Sequence, residues 1–141
     1  MLGTAPILHF SVVVDDLDRS VAFYRAALGF LPSLGPLDLG DAFARLTGQP
    51  GLSARLVQLT HPDRSEILEF IACTGQAGAA AGAVPLAHVA LQVSDLDAAL
   101  AEAAAEGAER IGEIVTFEGE GRSAYLRAPG GSALELEEFF A

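Results

Sequence analysis

Residues 7–17 are Ile-Leu-His-Phe-Ser-Val-Val-Val-Asp-Asp-Leu, and residues 86–96 are Leu-Ala-His-Val-Ala-Leu-Gln-Val-Ser-Asp-Leu. At a constant offset His9 falls on His88, and both stretches run into the same Asp-Leu-Asp sequence. Each stretch has the pattern of an apolar strand that carries one imidazole and leads into a helix. The repeat indicates two similar modules that share one site, because imidazole is the commonest metal ligand among side chains.

Each half of the sequence, counted from the start of its repeat, has the same order of strand, helix and three strands. In the first half the predicted strands are 7–14, 30–34, 52–60 and 66–73, with a helix at 18–28 and a helical turn at 41–46. In the second half the predicted strands are 86–93, 111–115, 122–127 and 133–138, with a helix at 95–106. This order predicts an α+β fold in which two βαβββ modules form one cupped mixed sheet, with helices on one face.

The length of 141 residues predicts a single domain that covers residues 1–141. Within it, module 1 spans 5–74 and module 2 spans 85–141. The segment 75–84 between them consists of small residues, mainly glycine and alanine, and is predicted to be a flexible linker.

The charge of the chain excludes several classes of partner. The net charge is −11 and the sequence contains no lysine, so the concentrated basic patch that binds nucleic acid or an anionic membrane surface is missing. No apolar run reaches the roughly 18 residues of a membrane span, and the N-terminus has no signal-peptide pattern. The single cysteine, Cys73, fits a reducing compartment. We therefore expect a cytoplasmic protein that binds a small molecule.

The first strand of each module has one wholly apolar side, and its polar residues lie on the other side. In the first repeat Leu8, Phe10 and Val12 point to one side of the strand, and His9 points to the other. We expect the helix of each module to cover the wholly apolar side. His9 and His88 then lie on the opposite face, which a curved sheet encloses.

The last strand of each module carries a glutamate among apolar residues. Glu69 shares a face with Ile67 and Ile71, and Glu135 lies between two leucines at the equivalent place. A single strand histidine is more often a core or surface residue, and a single strand glutamate is more often solvated. The matched positions in both modules favour a site for one divalent metal ion, and this donor set suits zinc, nickel, cobalt, manganese or ferrous iron.

Two stretches of the chain resemble the vicinal oxygen chelate superfamily, which includes glyoxalases, bleomycin-resistance proteins, extradiol dioxygenases and methylmalonyl-CoA epimerase. Residues 9–30, His-Phe-Ser-Val-Val-Val-Asp-Asp-Leu-Asp-Arg-Ser-Val-Ala-Phe-Tyr-Arg-Ala-Ala-Leu-Gly-Phe, resemble the opening of that family. Residues 124–136 resemble its terminal hairpin. The resemblance implies a glyoxalase-like fold, often in a homodimer. It also implies four metal ligands, namely His9, Glu69, His88 and Glu135.

Three functions stay open at this point. The first is that of a metal-dependent lyase, isomerase or epimerase that abstracts a proton next to a metal-chelated carbonyl, with Glu135 or Glu69 as the catalytic base. The second is non-catalytic binding of an antibiotic-type small molecule, against which the presence of all four ligand residues weighs. The third is an Fe(II) extradiol-type dioxygenase that uses only His9, His88 and Glu135. Glu69 weighs against this third function because it would fill a position that catechol and oxygen need.

Overall fold

The computed structural model describes residues 2–75, 87–129 and 133–141. A short 3-10 helix, Leu2–Thr4, comes first in this part of the chain. The elements that follow are β1 Ile7–Val13, α1 Leu17–Leu28, β2 Leu31–Asp38, α2 Asp41–Thr47, β3 Leu52–His61, β4 Arg64–Gly75, β5 His88–Gln92, α3 Leu96–Ala105, β6 Glu109–Arg110, β7 Val115–Phe117, β8 Gly121–Arg127 and β9 Ala133–Phe139. The predicted linker lies outside the described residues from position 76 onward.

The strands form one mixed sheet in the order β2-β3-β4-β1-β5-β9-β8-β6, with β7 paired to β8. β1 runs parallel to β4 and antiparallel to β5, and β5 runs parallel to β9. The two strands that carry the repeated histidine are therefore neighbours in the middle of the sheet. The predicted α+β fold class is confirmed.

The repeated Asp-Leu-Asp sequence begins a helix in each half. The side chain of Asp16 accepts a hydrogen bond from the backbone N–H of Arg19, and Asp95 accepts one from Ala98. These bonds satisfy backbone donors that the first turn of a helix leaves free. The strand and the helix of each half are thus joined by the same capped turn.

Helix α1 packs beside β1 and not over it. The prediction that this helix covers the apolar side of the first strand was therefore wrong. Leu17 and Tyr24 of α1 pack in one apolar cluster with Phe70 of β4 and with side chains of β3. Phe10 and Val12, on the apolar side of β1, are 40% and 42% exposed. Two neighbouring strands, β3 and β4, offer the helix a wider apolar surface than the single strand β1.

The predicted strand 111–115 was also wrong. The structure instead has the short strands β6 and β7, and the residues between them cross the end of α2. The backbone N–H of Glu113 donates to the carbonyl oxygen of Arg45 at 2.8 Å. A Cβ atom at Gly112 would collide with the carbonyl oxygen of Leu46, so glycine permits this close crossing.

Strand β2 is longer than predicted, because it continues through Pro32 and Pro36 to Asp38. It lies at the edge of the sheet, where a proline without an N–H leaves no partner strand unpaired. In the part of the chain that the structure describes, no helix is long and apolar enough to cross a membrane.

An apolar group that we call the Phe43 cluster closes one end of the sheet face that carries the histidines. It comprises Phe43, Leu52, Ile71, Val115 and Tyr125. Phe43 of α2 is fully buried, and its ring meets that of Tyr125 edge to face at 6.4 Å. Strands β3 and β8 both contribute to this cluster although four strands lie between them in the sheet, so the sheet is curved around it. We call this face concave and the face that carries α1 and α3 convex.

Candidate metal centre

Four adjacent central strands, β4, β1, β5 and β9, each carry one of the four residues predicted as metal ligands. The register places Ser11 of β1 beside Glu69 of β4, and it places Ala90 of β5 beside both His9 and Glu135. All four predicted residues are buried, with exposures from 3% for His9 to 8% for Glu135. The fold therefore brings them together on the concave face.

One atom of each residue points to a common centre. The two imidazole Nε2 atoms of His9 and His88 are 3.2 Å apart. The Nε2 atom of His9 lies 3.3 Å from Oε1 of Glu69 and 3.3 Å from Oε1 of Glu135. The Nε2 atom of His88 lies 3.0 Å from Oε1 of Glu135 and 3.7 Å from Oε1 of Glu69.

These distances fit the ligand shell of one metal ion. Imidazole nitrogen and carboxylate oxygen bind zinc at about 2.0–2.2 Å, which places neighbouring ligand atoms about 3.0–3.5 Å from one another. Five of the six distances within the set lie between 3.0 and 3.7 Å. The residues present therefore fit a divalent ion in both donor type and spacing.

The second oxygen of each glutamate is held by a neighbouring side chain. The Nε2 amide of Gln58 donates to Oε2 of Glu69 at 2.8 Å, and the Ser123 hydroxyl donates to Oε2 of Glu135 at 2.7 Å. Ser11 also donates to Oε1 of Glu69 at 2.7 Å. Each carboxylate is thereby oriented so that it offers one oxygen to the centre, which is the usual effect of such supporting hydrogen bonds.

The sequence did not reveal Gln58 and Ser123 as part of the site. Gln58 lies directly opposite Glu69 in the β3–β4 ladder, and Ser123 lies opposite Glu137 in the β8–β9 ladder. Both positions follow from strand register, which depends on the length of the intervening turns. A correct assignment of strand register across the β3–β4 and β8–β9 hairpins would have identified Gln58 and Ser123.

The pKa values of the cluster show strong coupling between imidazole and carboxylate. Burial lowers the pKa of His9, but hydrogen bonds with Glu135 and Glu69 outweigh it and raise the pKa to about 10. Burial raises the pKa of Glu135, but hydrogen bonds with His88 and His9 lower it to about 2. Burial raises the pKa of Glu69, but hydrogen bonds with His9 and Gln58 and the charge of His9 together lower it. Without a bound cation, His9 is an imidazolium between two carboxylates at neutral pH.

Glu137 borders the cluster on the side of the second His9 nitrogen. Its Oε2 atom lies 3.8 Å from Nδ1 of His9, and atoms of His9, Glu135 and Glu137 lie within 4.8 Å of one another. Burial and the charge of Glu135 raise the pKa of Glu137 to about 8. Glu137 is thus mostly protonated at neutral pH, which limits the negative charge beside the centre.

The larger recesses of the described residues lie away from this cluster, and one of about 760 Å³ lies at the β3–β4 hairpin beside Leu28 and His61. A cavity of about 350 Å³ beside α3 is lined by Leu2 and Glu102 and contains none of the four predicted ligands. A recess of about 50 Å³ lined by Ser123, Glu137 and Phe139 borders the cluster instead. We place the site at the cluster because the groups with shifted pKa values converge there.

Comparison with known proteins identifies the fold and the family. The profile of the Glyoxalase/Bleomycin resistance protein/Dioxygenase superfamily matches residues 6–136. A methylmalonyl-CoA epimerase from Mycobacterium tuberculosis superposes with a TM-score of 0.67 at 20% identity, over 100% of this chain and 94% of its own. A hypothetical protein from Bacillus halodurans superposes with a TM-score of 0.69 at 18% identity, over 98% of this chain and 96% of its own.

A third similar structure is a methylmalonyl-CoA epimerase from Streptomyces coelicolor in complex with 2-nitronate-propionyl-CoA. It superposes with a TM-score of 0.62 at 20% identity, over 97% of this chain and 99% of its own. No protein with a curated description matches the sequence significantly. At these identities the solved structures establish the fold, and the family profile covers almost the whole chain. The chain belongs to the Glyoxalase/Bleomycin resistance protein/Dioxygenase superfamily.

Proposed function

We propose that the chain is a divalent-metal-dependent isomerase, epimerase or lyase that removes a proton next to a carbonyl group of a small molecule. His9, Glu69, His88 and Glu135 are the proposed ligands of one zinc, nickel, cobalt, manganese or ferrous ion. The observation that carries the proposal is the convergence of one donor atom from each of these buried side chains.

The catalytic roles rest on the two glutamates. A divalent metal, when bound, supplies a Lewis acid that stabilises negative charge on a carbonyl oxygen. Glu69 and Glu135 are the proposed catalytic bases, and both would be ionised as ligands of the metal ion. They extend from β4 and β9, on opposite sides of the two histidine strands. In an epimerisation one glutamate would remove a proton on one side, and the other, after taking up a proton from solvent, would deliver that proton on the opposite side.

Of the three proposed reaction types, namely isomerisation, epimerisation and the lyase reaction, epimerisation is the activity named for two proteins of the same fold. A shared fold carries many functions, so this likeness adds only to the choice of reaction class. The argument for the site depends on the side chains of this chain.

The alternative functions agree less well with the arrangement. An extradiol-type dioxygenase would use a triad of two histidines and one carboxylate, whereas Glu69 lies as close to His9 as Glu135 does. Non-catalytic binding of an antibiotic-type molecule stays the second candidate. Leu34, Leu37 and Phe139 are exposed on the concave face and favour it, because they would suit a ligand that is held and not converted.

Deuterium incorporation tests the proposed reaction. The metal-loaded protein in D₂O is expected to exchange a carbon-bound proton of at least one member of a panel of α-hydroxyketones, 2-oxoacids and 1,3-dicarbonyl compounds, as measured by NMR. Glu69→Gln and Glu135→Gln are each expected to slow the exchange by about 100-fold or more, because a positioned base contributes about 10²–10⁴-fold. Tight binding of a panel member without exchange would identify a binding protein instead.

The pH dependence of metal binding follows from the raised pKa of His9. Because this pKa is about 10, His9 carries a proton at neutral pH and must lose it when Nε2 binds a metal. The apparent metal affinity is therefore expected to rise about tenfold per pH unit between pH 6 and 8, and to fall correspondingly with acid. Calorimetric titration in two buffers of different ionisation enthalpy measures the proton released. A net release near zero would contradict this account of His9.

The chain is also proposed to form a homodimer through its convex face. Phe10, Val12 and Phe23 are 40%, 42% and 60% exposed on that side. Exposed apolar side chains that occur together in this way usually mark a protein interface.

A further inference from the structure

We infer that the substrate of this site is an uncharged, apolar small molecule with two chelating oxygen atoms, and not a phosphorylated or coenzyme A-bound one. The inference rests on the proposed function and adds the chemical class of the substrate. It comes from the walls of the concave face, which are apolar, and from the positions of the cationic side chains.

Strand β2 supplies one wall of the concave face. Leu34 lies directly opposite Gln58 in the β2–β3 ladder, and Leu37 lies opposite Leu56. Directly opposed residues of an antiparallel pair point to the same face, and Gln58 contacts Glu69 there. Leu34 and Leu37 therefore face the site, and they are 44% and 41% exposed. An apolar ligand beside the cluster would cover them.

Strand β9 supplies an apolar side chain on the opposite wall. Phe139 is two residues beyond Glu137 and four beyond Glu135, so all three point to the same face of the sheet. Its ring is 51% exposed and borders the small recess beside Glu137. The buried polar cluster thus has exposed apolar side chains on both sides.

The cationic side chain that lines the recess beside Glu137 is Arg122, and it is already paired with carboxylates. The sequence has no lysine, and all eight arginines are among the described residues. Arg45 pairs with Glu113, and Arg122 pairs with Asp97 and Glu138. Of the remaining arginines, Arg19 and Arg25 lie in α1 and Arg64 lies at the β3–β4 hairpin. Arg55 lies on the convex face, Arg110 in β6 and Arg127 in β8.

Arg127 lies on the concave face, on β8. It lies two residues beyond Tyr125 on β8, so the two side chains are on the same face of the sheet. Tyr125 belongs to the Phe43 cluster. The register places Arg127 in the same row of the sheet as His88, with Ala133 of β9 between them, and Arg127 also borders the recess lined by Thr47 and Ile111.

The charge balance works against an anionic substrate. The carboxylates of Glu69 and Glu135 offset the two positive charges of a bound divalent ion, and the chain as a whole has a net charge of −11. A phosphate or carboxylate tail would enter a negative potential, in which Arg122 is already paired with two carboxylates. An apolar tail would instead gain from the removal of leucine and phenylalanine surface from water.

Three hydroxamates with the same chelating head test this inference. Acetohydroxamate has a methyl tail, benzohydroxamate a phenyl tail and succinomonohydroxamate an anionic tail. Calorimetry with the zinc-loaded protein is expected to show benzohydroxamate binding about tenfold more tightly than acetohydroxamate, because the ring covers apolar surface. Succinomonohydroxamate is expected to bind more weakly than acetohydroxamate.

A matched pair of variants assigns the preference to the wall. Leu34→Ser is expected to lower the ratio of benzohydroxamate to acetohydroxamate affinity at least threefold. Leu28→Ser, which changes a leucine of similar exposure at the end of α1, is expected to leave the ratio unchanged.

The outcomes separate the two proposals. If acetohydroxamate binds but the phenyl tail brings no gain, or the anionic tail binds best, the inferred substrate class is wrong and the metal site stands. An unchanged ratio in Leu34→Ser also overturns the inference. If the zinc-loaded protein binds no hydroxamate at all, the open metal site of the proposed function is wrong, and the inference that rests on it fails too.

Discussion

Replacing His9 by alanine is expected to lower the affinity for a divalent metal by more than about 100-fold. Loss of a supporting hydrogen bond around a metal typically costs 10- to 100-fold, and loss of a ligand atom costs more. In His9→Ala the two carboxylates also lose the imidazole that lies 3.3 Å from each of them. Glu135→Ala is expected to have an effect of the same size, since it removes the oxygen 3.0 Å from His88.

The control for this prediction is the remaining histidine of the chain. His61 lies in β3 at the hairpin, packs against the ring of Phe30, and is remote from the cluster. His61→Ala should bind metal with unchanged affinity and stoichiometry. Metal content is measured by mass spectrometry after dialysis, and the fold is followed by circular dichroism. If His9→Ala and Glu135→Ala retain the metal content of the unchanged protein, the proposed ligand set is wrong.

Phe43→Ala is expected to lower the free energy of unfolding by about 3–5 kcal/mol, the usual cost of removing a large buried aromatic side chain. Phe43 is fully buried and contacts strands of both halves through the Phe43 cluster. The void would persist, because α2 is tied to the 111–114 segment by backbone contacts at Arg45 and Gly112. Urea unfolding measures the change.

Phe140→Ala is the matched control, since this ring is 45% exposed near the end of the chain. Its effect is expected to stay within about 0.5 kcal/mol. A loss below about 1 kcal/mol in Phe43→Ala would mean that the two halves are not closed together by this cluster, and that the concave face needs another explanation.

The elements that the sequence predicts best are those with local signals. Period-two alternation defines β1, and an aspartate cap begins both α1 and α3. The strand 111–115 was wrong because its position is set by a tertiary contact with α2, which no local pattern encodes. The prediction that α1 covers β1 was wrong for a similar reason, since the position of α1 depends on the apolar side chains of β3 and β4 together.

The candidate site was predictable because duplication supplies a second, independent observation of each position. One histidine in a strand is weak evidence, whereas His9 and His88 at matched places restrict the centre to the seam between the halves. Gln58 and Ser123 have no counterpart of this kind. They reach the glutamates through cross-strand register, and the β3–β4 ladder shifts its register near His61.

The most direct test is a crystal structure of the metal-reconstituted protein with the ion located by anomalous scattering. We expect one peak, about 2.0–2.3 Å from Nε2 of His9, Nε2 of His88 and one oxygen each of Glu69 and Glu135. Gln58 and Ser123 are expected to remain on the second carboxylate oxygens. A peak at any other place, or a peak at the histidines from which Glu69 has turned away, would contradict the four-ligand centre.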